Sequence, residues 1–156
     1  MKPIVFLSTF ALIFSSCIRD YSSTTSSVIK NETAHTIQIN PYLNGVIDNS
    51  MSYFLSPNSE ITPINLSMVR GKSLGSALGR LLQPFDSIVV VFDGLKSSKH
   101  NRFTDSSNCN NCILQSNQRS IANENNWVKT ITREDKHTLT GYYTFIFVEQ
   151  DFIDAK

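Results

Sequence analysis

Charge of one sign is what this chain lacks most. Its 14 lysine and arginine side chains are nearly matched by 13 aspartate and glutamate, for a formal net charge of +1. That balance attracts no polyanion, so nucleic acid is not a partner the sequence proposes. A long apolar run is missing too. The most apolar stretch, Ile4 to Phe14, falls short of the roughly 20 residues a membrane-spanning helix needs. There is no internal repeat. No G-x-S-x-G turn marks a serine nucleophile, and Ser76 in GSALG has the wrong spacing. Gly71-Lys72-Ser73 copies the end of a phosphate-binding loop, but Leu66 stands where that loop requires glycine. Cysteine is scarce: Cys17, Cys109 and Cys112 are the only three.

What is present begins at the amino terminus, MKPIVFLSTFALIFSSCIRD. A positive residue, Lys2, precedes the apolar run, and the small residues Ser15 and Ser16 follow it, which is the layout of a secretory signal over residues 1–16. Phe14-Ser15-Ser16-Cys17 resembles the cleavage box of bacterial lipoproteins, with Phe14 in place of the usual leucine. The resemblance implies cleavage before Cys17, a diacylglycerol thioether on its sulfur, and an acyl chain such as palmitate on its amino group. It implies a protein held in the cell envelope, at the outer membrane. Several acyl chains make a stable anchor, at about 0.8 kcal/mol per buried methylene. The plainer reading is ordinary secretion with Cys17 as a free thiol. Loss of Lys2 lowers the basic count from 14 to 13, equal to the 13 acidic side chains.

Residues 17–27, with six consecutive Ser or Thr, read as a lipidated cysteine and a flexible tether. Ten such residues reach roughly 17 Å. From Val28 to Lys156 the pattern is that of one β domain. Short strands are expected near Val28–Lys30, Thr36–Leu43, Ser52–Leu55 and Glu60–Leu66, the last two joined as a pair by SPNS. Asn44-Gly45 and Asp93-Gly94 are hairpin turns. In SIVVVF, Ile88, Val90 and Phe92 share one face and Val89 and Val91 the other, so both faces of that strand are expected to be covered. Tyr143, Phe145 and Phe147 share a face of a long final strand, followed by a short helix in EQDFIDAK. Leu74, Leu78, Leu81 and Leu82 have helical spacing weakened by Gly75 and Gly79, which makes 72–83 a short helix or an irregular crossover. The fold class is therefore all-β: a single antiparallel sandwich with immunoglobulin-like topology, a small barrel being the alternative. VIKN, PYLNG, VRGKSLG, FDSIVVVFD and YTFIFVEQDFIDAK together resemble a group of small, uncharacterised bacterial lipoproteins. The likeness implies an envelope β-sandwich and brings no activity, ligand or catalytic residue with it.

Cys109 and Cys112 form C-x-x-C inside the polar run TDSSNCNNCILQ. A redox centre would need a helix start within a βαβ unit to lower a thiol pKa. A metal clip would need two more ligands, and only His100 is near in sequence. A disulfide staple fits an oxidising compartment, closing a short loop for about 2 kcal/mol, and two thiols without a role remain the bland alternative. His35, His100 and His137 fall near turns and strand ends. Asp93 belongs to its turn; Asp105, Glu134, Asp135, Glu149, Asp151 and Asp154 read as solvated. Trp127 is either a core residue or a platform for sugar. No catalytic residue, cofactor or metal is indicated. The functional expectation is a lipid-anchored, non-catalytic domain that binds a protein or a glycan; the alternative is an extracytoplasmic enzyme, either a thiol-disulfide protein using Cys109 and Cys112 or a hydrolase.

Overall fold

A computed structural model of the chain describes residues 21–78, 85–102 and 112–156, with the backbone alone over 63–68. Period-two alternation builds it. In β6 (Ser87–Phe92) the side chains of Ile88, Val90 and Phe92 are fully buried. Phe145 and Phe147 of β10 (Thr138–Phe147) reach the same core from the facing sheet. The Phe92 and Phe147 rings meet edge-on with centroids 6.2 Å apart, and Phe145 meets Phe147 at 5.0 Å. Edge-to-face pairs of this kind add to the gain from area burial. Ile29 of β1 (Ser22–Asn31), Ile37 and Ile39 of β2 (Ile37–Leu43), and Leu55 of β4 (Tyr53–Leu55) complete the centre.

One sheet runs β5 (Ser59–Arg70), β1, β10, β9 (Val128–Glu134). The other runs β3 (Val46–Ile47), β2, β6, β7 (Lys96–Asn101), β8 (Cys112–Ile113), with β4 also paired to β2. The all-β sandwich is therefore the fold, and the sheets do not close into a barrel. Both sheets are mixed rather than purely antiparallel. β1 lies parallel to β10 from Ser22 opposite Thr138 to Asn31 opposite Phe147, and β7 lies parallel to β8. Neither pair is joined by a tight turn, so nothing forces the strands to run in opposite directions.

The tether expected over 17–27 is corrected by β1. From Ser22 the chain is already strand, so the folded domain starts at Ser22 rather than Val28. Ser23, Thr25 and Ser27 alternate inward and are buried, because their hydroxyls are satisfied. Ser23 donates to the Val69 carbonyl, Ser27 donates to the Ala77 carbonyl, and Thr25 accepts from the Gly75 amide. A composition that suits a linker here makes a strand whose inner face packs on the 74–78 segment.

Two further differences follow from pairing, and the 72–83 segment takes the irregular form of its two expected ones. β4 and β5 do not form a hairpin; they join opposite sheets, and the chain changes layer at Ser56–Asn58. Val89 and Val91 are half-buried rather than covered, since the outer face of the second sheet meets solvent. Of the 72–83 segment, the described part is irregular, with Leu74, Ala77 and Leu78 buried; Leu81 and Leu82 lie outside the described residues. Asn44-Gly45 and Asp93-Gly94 are turns with positive φ at both positions (52° and 78°, 51° and 70°), as type I′ hairpins demand. Gly141 is a different case: a Cβ there would come 2.5 Å from the Thr130 carbonyl oxygen. The final helix, α1 (Glu149–Asp154), forms as expected after β10.

Candidate functional site

β7 reads Lys-Ser-Ser-Lys-His-Asn and carries no large apolar residue, so its outer edge is a polar strip. Two elements cover that edge. Along Lys99 and His100 it pairs with Cys112 and Ile113 of β8. At Ser97 it exchanges both backbone hydrogen bonds with Lys156, at 2.7 and 3.1 Å. Between the two covers lies a groove of about 360 Å³ lined by Ser97, Ser98, Lys99, Cys112, Ile113 and Asp154, with Lys156 closing it. That size is within the range of small-ligand clefts. Its chemistry is two ammonium groups, one carboxylate and hydroxyls, beside backbone that already receives extended chain.

His100 lies behind the groove. Its Nε2 is 3.0 Å from Ser98 Oγ, which has the look of a base beside a nucleophile. The polarity is wrong for that chemistry. The Ile121 amide donates to Nδ1 at 3.4 Å, so Nε2 carries the proton and donates to Ser98. A general base needs its lone pair where this proton sits. Burial, and then the Arg119 charge, push the His100 pKa down to about 4. His100 is a neutral structural histidine that ties β7 to the buried Ile121 backbone.

The wall formed by α1 is fastened by two clasps. His35 stands between two carboxylates: Nδ1 is 2.6 Å from Asp93 Oδ2 and Nε2 is 3.0 Å from Glu149 Oε1. Its ring stacks on Phe152 at 3.4 Å between centroids. Both nitrogens donate only when the imidazole is charged, and the Asp93 hydrogen bond foremost raises the His35 pKa above its ordinary value. The same contact, with the Thr36 amide, holds the Asp93 carboxyl below its ordinary value. Lys96 Nζ sits 4.7 Å from the Phe152 centroid and donates to the Phe152 carbonyl. In the second clasp Arg119 grips Asp151 through Nε at 2.9 Å and through Nη2, while Nη2 also donates to the Ile146 carbonyl. Asp151 in turn accepts from the Val148 amide and caps α1.

The remaining sequence candidates disperse. Glu149 and Asp151, expected to be solvated, are the anionic halves of those clasps. Asp93 serves its turn and His35 at once. Glu134 pairs with Lys72 at 3.5 Å on the exposed surface, which leaves Lys72 no phosphate-loop role. Asp135 accepts from the His137 and Thr138 amides and shapes that turn. Asp154 accepts from Gln150 and borders the groove. Ser76 donates to Glu124. Trp127 is buried, donates its indole N–H to the Ile121 carbonyl at 2.9 Å and packs on Phe145, so it is a core residue and no platform for sugar. Cys17, Asp105 and Cys109 lie outside the described residues. Cys112 opens β8. Among the described residues no three of His, Cys, Asp and Glu converge to hold a metal, and no helix is long and apolar enough to cross a membrane. Sequence reasoning missed the groove because its walls, β8 and Lys156, are far apart along the chain.

No known family, curated protein or solved structure matches the chain.

Proposed function

We propose that this chain is a lipid-anchored cell-envelope domain with a non-catalytic binding role, held through Cys17 and presenting the β7 groove to a partner. The observation that carries the binding role is the groove left open between the two covers of the β7 edge. Ser97 already binds a residue of extended backbone, Lys156, by paired hydrogen bonds. Edges that accept extended chain in this way are a recurrent mode of peptide recognition. The lining, with Lys99, Asp154 and hydroxyls, suits a polar extended segment of a protein. A glycan is the less favoured occupant, because Trp127, the aromatic candidate for stacking, is in the core. Cys109 and Cys112 are proposed to form a local disulfide that steadies the entry to β8, as an oxidising compartment favours.

Photo-crosslinking in cells tests the binding role. A crosslinker at position 99 is expected to yield a discrete protein adduct, and the same group at position 129 on the opposite sheet edge is not. Adducts at both positions alike, or glycan at position 99, would contradict the proposal. The anchor is tested separately: Cys17→Ala is expected to leave the membrane fraction.

A further inference from the structure

The early start of β1 brings the fold close to Cys17. Three residues separate Cys17 from Tyr21. Tyr21 is already tied to the domain: its carbonyl accepts from the Gly71 amide at 2.8 Å, and its hydroxyl donates to the Thr138 carbonyl. A chain spans at most about 3.6 Å per residue, so Cys17 lies within about 15 Å of Tyr21. On the anchored reading, which this inference rests on, the end of the sandwich that holds Tyr21 must face the bilayer.

That end is basic. Ser22 lies opposite Arg70 at the close of β5 and Thr138 at the start of β10, and Leu139 lies opposite Glu134. The first-sheet strand ends and turns gathered there carry Arg70, Lys72, Arg133 and Lys136 against Glu134 and Asp135, an excess of two positive charges; the second sheet ends on the same side with Arg102 against Asp48 and Asp86, which leaves the whole end one positive charge in excess. Lys72 pairs with Glu134 and Arg133 with Asp135 at 2.9 Å, so the first sheet's excess sits on Arg70 and Lys136, both exposed. At the far end of β1 and β10 the balance reverses. Glu32, Asp93, Glu149, Asp151 and Asp154 outnumber Lys96, Arg119 and Lys156 there, by two with His35 neutral and by one with it protonated. The chain is nearly neutral overall, and its charge is sorted along the strands.

We propose that the Arg70–Lys136 end is a docking face for the anionic headgroups of the membrane that holds the lipid. Attraction between a basic protein surface and anionic lipid fades within a Debye length, about 10 Å at ordinary ionic strength. Free in solution, so small a net charge would bind weakly. The short link to Cys17 keeps them inside that range, so docking becomes an intramolecular step at high effective concentration. The domain then stands with its strands upright, and the groove beside α1, at the acidic end, points away from the lipid.

The lipidated full-length protein in vesicles tests this, by hydrogen exchange in residues 70–73 and 133–137. Vesicles of phosphatidylcholine alone are compared with vesicles rich in phosphatidylglycerol. Exchange in those two segments is expected to slow several-fold on the anionic vesicles only. High salt, or the double variant Arg70→Glu/Lys136→Glu, should restore the faster rate. Equal exchange on both vesicle types, with Cys17 shown by mass to carry lipid, overturns docking and leaves the anchor standing. An unmodified Cys17 removes the anchored reading and the docking face with it.

Discussion

Acid should weaken this fold through a buried histidine. His100 is 3% exposed, and burial depresses its pKa to about 4, with Arg119 adding to the effect. In the unfolded chain the imidazole titrates near 6.5. Below that pH the unfolded state gains a proton that the folded state does not bind, so stability falls with falling pH until about 4, where both bind it. The gap between those values, at 1.36 kcal/mol per pKa unit, amounts to about 3 kcal/mol. Against a typical domain stability of about 5–15 kcal/mol, that loss is large. Carboxylates such as Asp93, whose pKa is lowered, also stabilise less as acid protonates them, so the wild-type curve alone does not isolate His100. A paired measurement does. Urea denaturation of wild type and His100→Gln is followed from about pH 7 to about pH 4, since glutamine does not titrate. The variant starts less stable and loses about 3 kcal/mol less across that range. Parallel curves, or a His100 resonance titrating near the ordinary imidazole value, would refute the argument from burial.

Three other outcomes follow from the same contacts. Phe92→Ala should cost about 3–5 kcal/mol, since the ring is fully buried between Phe147 and Phe152; a melting shift of a degree or two would be too small. His35 works in the opposite sense to His100. Its raised pKa means that its grip on Asp93 and Glu149 is complete below the ordinary imidazole range and is lost as pH rises through the raised value. The Ser97 and Lys156 amides should then lose protection at alkaline pH while the Val148 amide, held by Asp151 and Arg119, keeps it; His35→Gln should abolish the pH dependence. Replacing Cys109 and Cys112 together with serine should leave a folded domain destabilised by about 2 kcal/mol or less, as urea denaturation would measure; loss of folding would give the pair a larger role than a short-loop staple.

The core was legible because β6 and β10 alternate cleanly. That alternation alone pairs Ile88, Val90 and Phe92 with Phe145 and Phe147. The turns were legible for a local reason: Asn44-Gly45 and Asp93-Gly94 are the dipeptides that tolerate two positive φ angles. β1 was not legible over Ser22–Ser27. Serine and threonine there look like linker, and only the inward hydrogen bonds to Val69, Gly75 and Ala77 show why they are buried. The clasps were hidden for another reason. His35, Asp93 and Glu149 are 58 and 114 residues apart along the chain, and no spacing rule links them. The groove shares that origin, since Ser97, Cys112 and Lys156 meet only through strand pairing. For Trp127 the sequence left core and sugar platform both open; its burial and its indole bond to the Ile121 carbonyl decide for core, although its neighbours Val128 and Ile131 are exposed.

The central claim, an envelope domain held by lipid at Cys17, is tested most directly by the intact mass of the protein recovered from the membrane of cells that express it. The account predicts a chain that begins at Cys17 and carries the added mass of a diacylglycerol group and an amide-linked acyl chain. A chain that retains residues 1–16, or one that begins elsewhere with an unmodified Cys17, would contradict it.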